Sequence, residues 1–123
     1  ANGSYAFFAW RVTGCCWSTS GAADLSAANL SGTNLTGAQL GGTSLVNANL
    51  NGANLTSSSS YRCEVYWCYG ANYQNADLTN AIMTGGDFRG TNMLGVTYWT
   101  TTCPDGTLSQ NNFGTCAGRG GGL

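Results

Sequence analysis

A five-residue repeat organises the chain and sharply limits the folds open to it. From Ala23 the repeats read ADLSA, ANLSG, TNLTG, AQLGG, TSLVN, ANLNG and ANLTS; after a break they resume at Ala71 as ANYQN, ADLTN, AIMTG, GDFRG, TNMLG and VTYWT. A period of five matches neither the 3.6-residue period of an amphipathic helix nor the two-residue period of a flat strand. Tandem units of this kind indicate a stack that buries a shared core.

Each position of the repeat has a physical meaning. The third residue is large and apolar in all 13 repeats, and the first is small, mostly Ala or Thr. Gly or Asn fills the fifth position in 10 of the 13 repeats, as is typical where the backbone turns with positive φ. The pattern predicts a coil of short straight faces joined by corners, with one large and one small side chain per face pointing inward.

The tandem A(D/N)Lxx pattern resembles the pentapeptide-repeat family over roughly residues 23–57 and 71–100. The resemblance implies an all-β fold, a right-handed quadrilateral β-helix with four pentapeptides per coil. Residues 20 apart then stack, which places Leu25 under Leu45 and Leu30 under Leu50. With coils ~4.8 Å apart, residues 23–100 form about four coils and a rod roughly 20 Å long.

The sequence divides into three segments. Residues 1–22 are an apolar, strand-like segment that caps the solenoid or serves in assembly, and residues 23–100 form the solenoid, with a break at 58–70. Residues 101–123 are expected to be a C-terminal cap followed by a Gly-rich tail. This last segment resembles the CPDGT…GTC tail found after pentapeptide repeats in secreted bacterial proteins, and that resemblance implies a disulfide between Cys103 and Cys116. The predicted fold is therefore a solenoid whose terminal segments are pinned by disulfides.

The six cysteines are an even number in a small chain, and their spacings suit disulfides better than a zinc site. They stand at Cys15, Cys16, Cys63, Cys68, Cys103 and Cys116, and can pair in 15 ways. A bond between the adjacent Cys15 and Cys16 would be strained, so each is expected to bond elsewhere. One of them could tie the N-terminal segment to Cys63 or Cys68.

The break at residues 58–70 shifts the repeat by three residues and is rich in aromatic side chains, namely Tyr61, Tyr66, Trp67 and Tyr69. Either the solenoid continues with a bulge or a loop leaves it here. We favour a structural role, in which the aromatics cover the core beside a Cys63–Cys68 bridge, because a lapse in a solenoid must be re-covered against water. The alternative is a binding patch on a loop.

Composition excludes several classes of function. The chain has 4 Arg, no Lys and no His, and a net charge of −1, too little charge to hold or mimic nucleic acid. Without His or Lys, the common nucleophilic and acid–base arrangements cannot be built. Asp77 and Asp87 project from opposite faces, as do Asp24 and Asp77 if the break preserves the count of faces. We predict no catalytic residues, no metal site and no cofactor.

The favoured function is an extracellular structural protein that assembles end to end into a fibre or surface layer. An uncapped solenoid leaves unpaired strand edges, and the N-terminal side chains Tyr5, Phe7, Phe8 and Trp10 offer an apolar strand that covers the first coil or pairs with a neighbouring subunit. The chain opens at Ala1, and its longest apolar run is too short to span a bilayer. We therefore expect a mature chain at the cell surface or outside the cell, from which a signal peptide has been removed.

Other interpretations remain open. One is a secreted module that binds carbohydrate or protein through the aromatic 61–69 segment. Gyrase protection by DNA mimicry, known in this family, fits strongly acidic cytosolic members and not this nearly neutral chain. Four sequons, at Asn2, Asn29, Asn34 and Asn54, match the glycosylation pattern, although A-N-L-[S/T] repeats generate sequons automatically. A glycan coat on them would help so uncharged a surface to stay soluble.

Overall fold

The computed structural model describes residues 23–123, which form a four-sided coil. Parallel backbone bridges join the second residues of successive repeats into four columns, and each column marks one face of the rod. Face 1 carries Asp24, Ser44, Asn72 and Asn92; face 2 carries Asn29, Asn49, Asp77 and Thr97; face 3 carries Asn34, Asn54, Ile82 and Thr102; face 4 carries Gln39, Ser59 and Asp87. The predicted four-sided stacking is confirmed.

The second residue of the repeat completes the backbone hydrogen bonding. In each coil the third and fifth N–H groups donate to the next coil, as Leu30 does to Asn49 at 2.7 Å and Gly32 to Asn51 at 2.8 Å. The fourth N–H lies between them and donates to the second side chain instead, as from Ser31 to Asn29 Oδ1 at 3.1 Å. This explains why Asn and Asp recur at the second position: their side-chain oxygen satisfies a backbone donor that the coil itself cannot pair.

The corners of the coil have the positive φ that the Gly and Asn pattern predicts. Gly32, Gly52 and Asn47 adopt φ of 66°, 72° and 60°. Ala27, Ser57 and Thr100 adopt the same left-handed conformation without Gly or Asn, at φ between 51° and 60°, so the coil geometry overrides local preference there.

The core is a ladder of the third residues, with the small first residues packed between them. Five leucine side chains are fully buried, namely Leu35, Leu40, Leu45, Leu50 and Leu55. Tyr73 and Phe88 extend the ladder into the third coil, where their ring centroids are 6.0 Å apart. Such burial of about one large side chain per five residues accounts for a stable rod of only ~10² residues.

The break is a hairpin that leaves the solenoid at the corner between faces 4 and 1. Its strands, β1 (Tyr61–Cys63) and β2 (Cys68–Gly70), pair antiparallel. Bridged residues are 20 apart elsewhere and 28 apart across the break, so the excursion adds eight residues. The two ends of the excursion meet where Ala71 N–H donates to the Ser60 carbonyl at 2.8 Å.

The C-terminal segment covers half of the last coil. Residues 101–105 form its third face, and a 3₁₀ helix, Ser109–Asn112, follows. The Cys103–Cys116 disulfide that the resemblance implies is present. The backbone N–H groups of Cys103, Asp105 and Phe88 donate to the carbonyls of Thr107, Arg119 and Gly121 at 2.7 to 2.9 Å, so this segment closes the strand edges of faces 3 and 4.

Two expectations from the sequence need correction. Cys63 and Cys68 bond to each other, so neither can tie down Cys15 or Cys16, which lie outside the described residues. Asp77 and Asp87 do occupy opposite faces, but Asp24 and Asp77 lie on adjacent faces 1 and 2. The reason is that the hairpin leaves and re-enters at a corner and adds no face.

Candidate functional site

The tip of the hairpin is an exposed apolar surface. Val65, Tyr66 and Trp67 are 87%, 86% and 67% exposed, and the Cys63–Cys68 disulfide joins directly opposed residues just behind them. The favoured interpretation of this segment as a cover for the core is therefore wrong for Tyr66 and Trp67, because an eight-residue excursion lifts them away from the coil. The Cys63–Cys68 bridge, one of the pairings that the sequence leaves open, is present.

The base of the hairpin is fixed by stacked guanidinium groups. Arg62 lies 5.3 Å from the centre of the Tyr69 ring and pairs with Glu64 at 3.5 Å. The Tyr61 ring is half-buried, and the guanidinium carbon of Arg89 lies 4.5 Å from its centre. The Arg89 guanidinium also hydrogen-bonds Asp87 and holds the pKa of that carboxyl below its usual value. Both cations are paired, so the hairpin is neutral as well as rigid.

The carboxyl end of the rod has an open strand edge on faces 1 and 2. In the coil above, Tyr73, Asn75, Leu78 and Asn80 donate their N–H groups to the last coil at 2.8 to 2.9 Å. The equivalent donors of the last coil have no hydrogen-bond partner in the part of the chain that the structure describes; they belong to Met93, Gly95, Tyr98 and Thr100. The carbonyls of Thr91 and Val96 are also unpaired within residues 23–123.

A cavity of about 290 Å³ opens beside this edge, between the last coil and the C-terminal segment. Met93 and Tyr98, the last inward side chains of faces 1 and 2, line one side, and Ala117 and Leu123 line the other. Burial raises the pKa of Tyr98 to about 12; like any tyrosine hydroxyl, it is protonated at neutral pH and can donate a hydrogen bond. Leu94 and Trp99, 68% and 59% exposed, border the same edge. The lining also includes two Thr side chains and a Gly, so the cavity is partly apolar and partly polar.

The remaining predicted sites are placed as follows. Asn29, Asn34 and Asn54 face outward, and each side-chain oxygen accepts the N–H two residues later, so a structural requirement already accounts for these sequons. Asn2, the aromatic side chains from Tyr5 to Trp10, and Cys15 and Cys16 lie outside the described residues. Within residues 23–123, no group of three His, Cys, Asp or Glu side chains is placed to hold a metal. No helix in this range is long and apolar enough to cross a membrane.

A family model for pentapeptide repeats matches residues 23–59 and 68–96, with eight copies. The chain belongs to the pentapeptide-repeat family. Pentapeptide-repeat proteins fold as right-handed quadrilateral β-helices, in agreement with the four faces described above. No curated protein sequence matches the chain.

The chain is similar to several solved pentapeptide-repeat structures. A protein from the thylakoid lumen of Arabidopsis thaliana is 29% identical with a TM-score of 0.55, and the match covers 63% of this chain and 48% of that one. HetL, involved in heterocyst differentiation regulation in a Nostoc cyanobacterium, is 29% identical with a TM-score of 0.36, over 74% of this chain and 45% of its own. Rfr23 from Cyanothece is 35% identical with a TM-score of 0.35, over 59% and 48%. The chain thus spans about half the length of these structures.

Reasoning from the sequence did not find the open edge or the cavity of this pentapeptide-repeat protein. A signal was present: the first and fifth positions stay regular up to Gly95, and no repeats follow Thr100 on faces 1 and 2. A solenoid whose repeats stop with only part of a coil covered must leave the other faces open.

Proposed function

We propose that this protein is a non-enzymatic structural subunit that assembles end to end into a fibre or surface layer. The observation that carries the proposal is the open edge at the carboxyl end, where four N–H groups of faces 1 and 2 have no partner within residues 23–123. An unpaired row of backbone donors beside an open cavity is a template for strand addition.

The amino end of the described rod offers the complementary groups. On the same two faces, the carbonyls of Asp24, Ser26, Asn29 and Ser31 have no partner in the described range. Donors at one end and acceptors at the other favour a head-to-tail contact, which repeats without closing and builds a filament.

The surface chemistry of the chain also supports assembly. Edge strands of monomeric proteins are usually protected by charges, especially Lys. This chain has no Lys, and the last coil exposes Leu94 and Trp99 on these two faces. Together with the two disulfides, this suits a secreted bacterial protein at the cell surface or outside the cell, where an oxidising environment keeps such bonds intact.

Electron microscopy of the oxidised protein tests the proposal. We expect filaments with an axial repeat of roughly 20–30 Å, the length of about four to six coils at ~4.8 Å each. Ala117→Glu places a carboxylate in the cavity without altering the coil, and it should abolish the filaments because an unpaired charge cannot be buried at the joint.

Gln110→Glu is the matched control, since it adds the same charge to the same C-terminal segment away from the cavity. It should assemble like the parent protein. Isolated particles of the parent protein at high concentration would rule out the structural role, and filaments of Ala117→Glu would place the joint elsewhere.

The second candidate is a secreted module that binds a carbohydrate or protein through the hairpin tip. Its support is the exposed Tyr66 and Trp67 on a disulfide-fixed hairpin, because rigid aromatic side chains make good binding anchors at low entropic cost. Trp67→Ala should abolish binding on a glycan array or to a captured protein, whereas Asn51→Ala, a change on the coil far from the tip, should not. Binding that survives Trp67→Ala would end this case.

A further inference from the structure

We propose that the open edge at the carboxyl end binds residues 3–12 of a second copy of the chain, with Tyr5 and Trp10 entering the core beneath Met93 and Tyr98. This inference rests on the proposed function and names the segment that makes the joint. It follows from three features: the number of open faces, the spacing of the side chains that line them, and the cavity.

The open edge is two faces wide. Faces 3 and 4 are closed by the C-terminal segment, whereas no residue between 23 and 123 closes faces 1 and 2. An added segment therefore needs two pentapeptides, each with one large inward side chain. Its two inward side chains must be five residues apart, because Met93 and Tyr98 are five apart and each is the last inward side chain of its face.

Residues 3–12 match that requirement. Continuing the repeat upstream from Ala23 divides this segment into GSYAF and FAWRV, with Tyr5 and Trp10 at the third positions. They stand 20 residues before Leu25 and Leu30, the first inward side chains of faces 1 and 2. The segment thus carries its large side chains in the two columns that are open at the other end of the rod.

The cavity supplies the space for those side chains. In the interior of the rod, each inward residue is covered by the next coil, and Leu45 and Leu50 are fully buried. Met93 and Tyr98 remain half-buried, because the 290 Å³ beside them is empty. Tyr and Trp side chains, which combine an apolar ring with a polar atom, suit this partly apolar and partly polar space, and the Tyr98 hydroxyl can donate to a backbone carbonyl at its rim.

The hydrogen bonds fit a parallel addition. The N–H groups of Met93 and Gly95 then donate to the carbonyls of Ser4 and Ala6, and those of Tyr98 and Thr100 to the carbonyls of Ala9 and Arg11, following the pattern of every interior coil. The added layer lies between two rods, which gives an axial repeat of five layers, or roughly 24 Å.

The test compares Trp10→Ser and Tyr5→Ser with Val12→Ser in the full chain. Val12 is in the same segment but falls at the fifth position of the continued repeat, which is not one of the two large positions. Trp10→Ser and Tyr5→Ser should each raise the critical concentration for filaments at least roughly tenfold, the usual consequence of losing a buried aromatic anchor. Val12→Ser should leave it within about twofold of the parent value.

Mixing of variants separates this inference from the proposed function. Ala117→Glu keeps the N-terminal segment intact but has an open edge that cannot bind it. Trp10→Ser keeps the open edge intact but lacks the aromatic side chain that binds there. Neither should polymerise alone, and an equimolar mixture should form 1:1 complexes in analytical ultracentrifugation. Two results would overturn the inference while leaving self-assembly intact. In one, the parent protein forms filaments and Trp10→Ser assembles as well as Val12→Ser; in the other, the mixture forms no 1:1 complexes. An absence of filaments from the parent protein would overturn both.

Discussion

A chain that lacks residues 62–69 is expected to fold into an uninterrupted solenoid, with a free energy of unfolding within about 2 kcal/mol of the parent value. The deletion removes the eight residues by which the coil across the break exceeds 20. Its junction reads SSSYG followed by ANYQN, an in-phase repeat with Gly70 at the corner. Equilibrium urea denaturation, followed by circular dichroism, measures the difference.

Deletion of seven residues, 62–68, is the matched control. It leaves one extra residue in the corner and puts Tyr69 before Gly70, so the Ser60 and Ala71 backbone groups can no longer meet as they do now. We expect a loss of roughly 2–4 kcal/mol, the scale for breaking buried backbone hydrogen bonds and straining a turn. Equal stability of the two deletion variants would show that the phase of the repeat does not govern this corner.

Tyr73→Phe is expected to destabilise the protein by about 1–3 kcal/mol, although it removes a single oxygen atom. Ser60 stands at a third position, where other repeats have Leu, and its hydroxyl lies 2.5 Å from the Tyr73 hydroxyl. Both side chains are fully buried. Removal of either partner leaves the other hydroxyl unpaired in an apolar core, which costs more than the hydrogen bond contributes.

A double-mutant cycle separates this cost from lost packing. Ser60→Ala should cost a similar amount, and the Ser60→Ala/Tyr73→Phe variant should be destabilised by about 1–2 kcal/mol less than the sum of the two single changes. Burial also raises the pKa of Tyr73 well above its ordinary value. The protonated Tyr73 hydroxyl therefore contributes fully to stability below pH ~10, the pKa in the unfolded chain, and this contribution falls as the pH rises further. The free energy of unfolding of Tyr73→Phe should decrease less between neutral and alkaline pH than that of the parent protein. Additive effects in the cycle would mean that the two hydroxyl groups do not depend on each other.

The repeat determined most of the fold because each of its positions has one physical task. The third residue fills the core, the fifth turns the corner and the second accepts a backbone N–H, so the pattern can be understood without any long-range information. The corner φ values at Gly32 and Asn47 follow from it. The resemblance to the pentapeptide-repeat family adds the handedness and the four pentapeptides per coil, which stack Leu25 on Leu45.

The hairpin and the open edge could not be predicted in the same way. The sequence of the break shows a phase shift of three, and both a bulge and an eight-residue excursion produce that shift. Only the pairing of Ser59 with Asp87 and of Ser44 with Asn72 distinguishes them. Likewise, Ser60 cannot be recognised as a core residue until Tyr73 is known to lie beside it. These features depend on contacts between coils, which local spacing does not specify.

The corner at which the hairpin departs gives this solenoid a site of insertion that leaves its architecture unaffected. Arg62, at the corner position, does not adopt the positive φ of the other corners. The chain leaves and re-enters the coil at adjacent points, which are joined by the hydrogen bond from the Ala71 N–H to the Ser60 carbonyl. A segment with adjacent ends closes at an entropic cost that grows only slowly with length. Evolution can therefore change the length and chemistry of this excursion freely, and a protein engineer can graft a foreign epitope or ligand here without disturbing the coil.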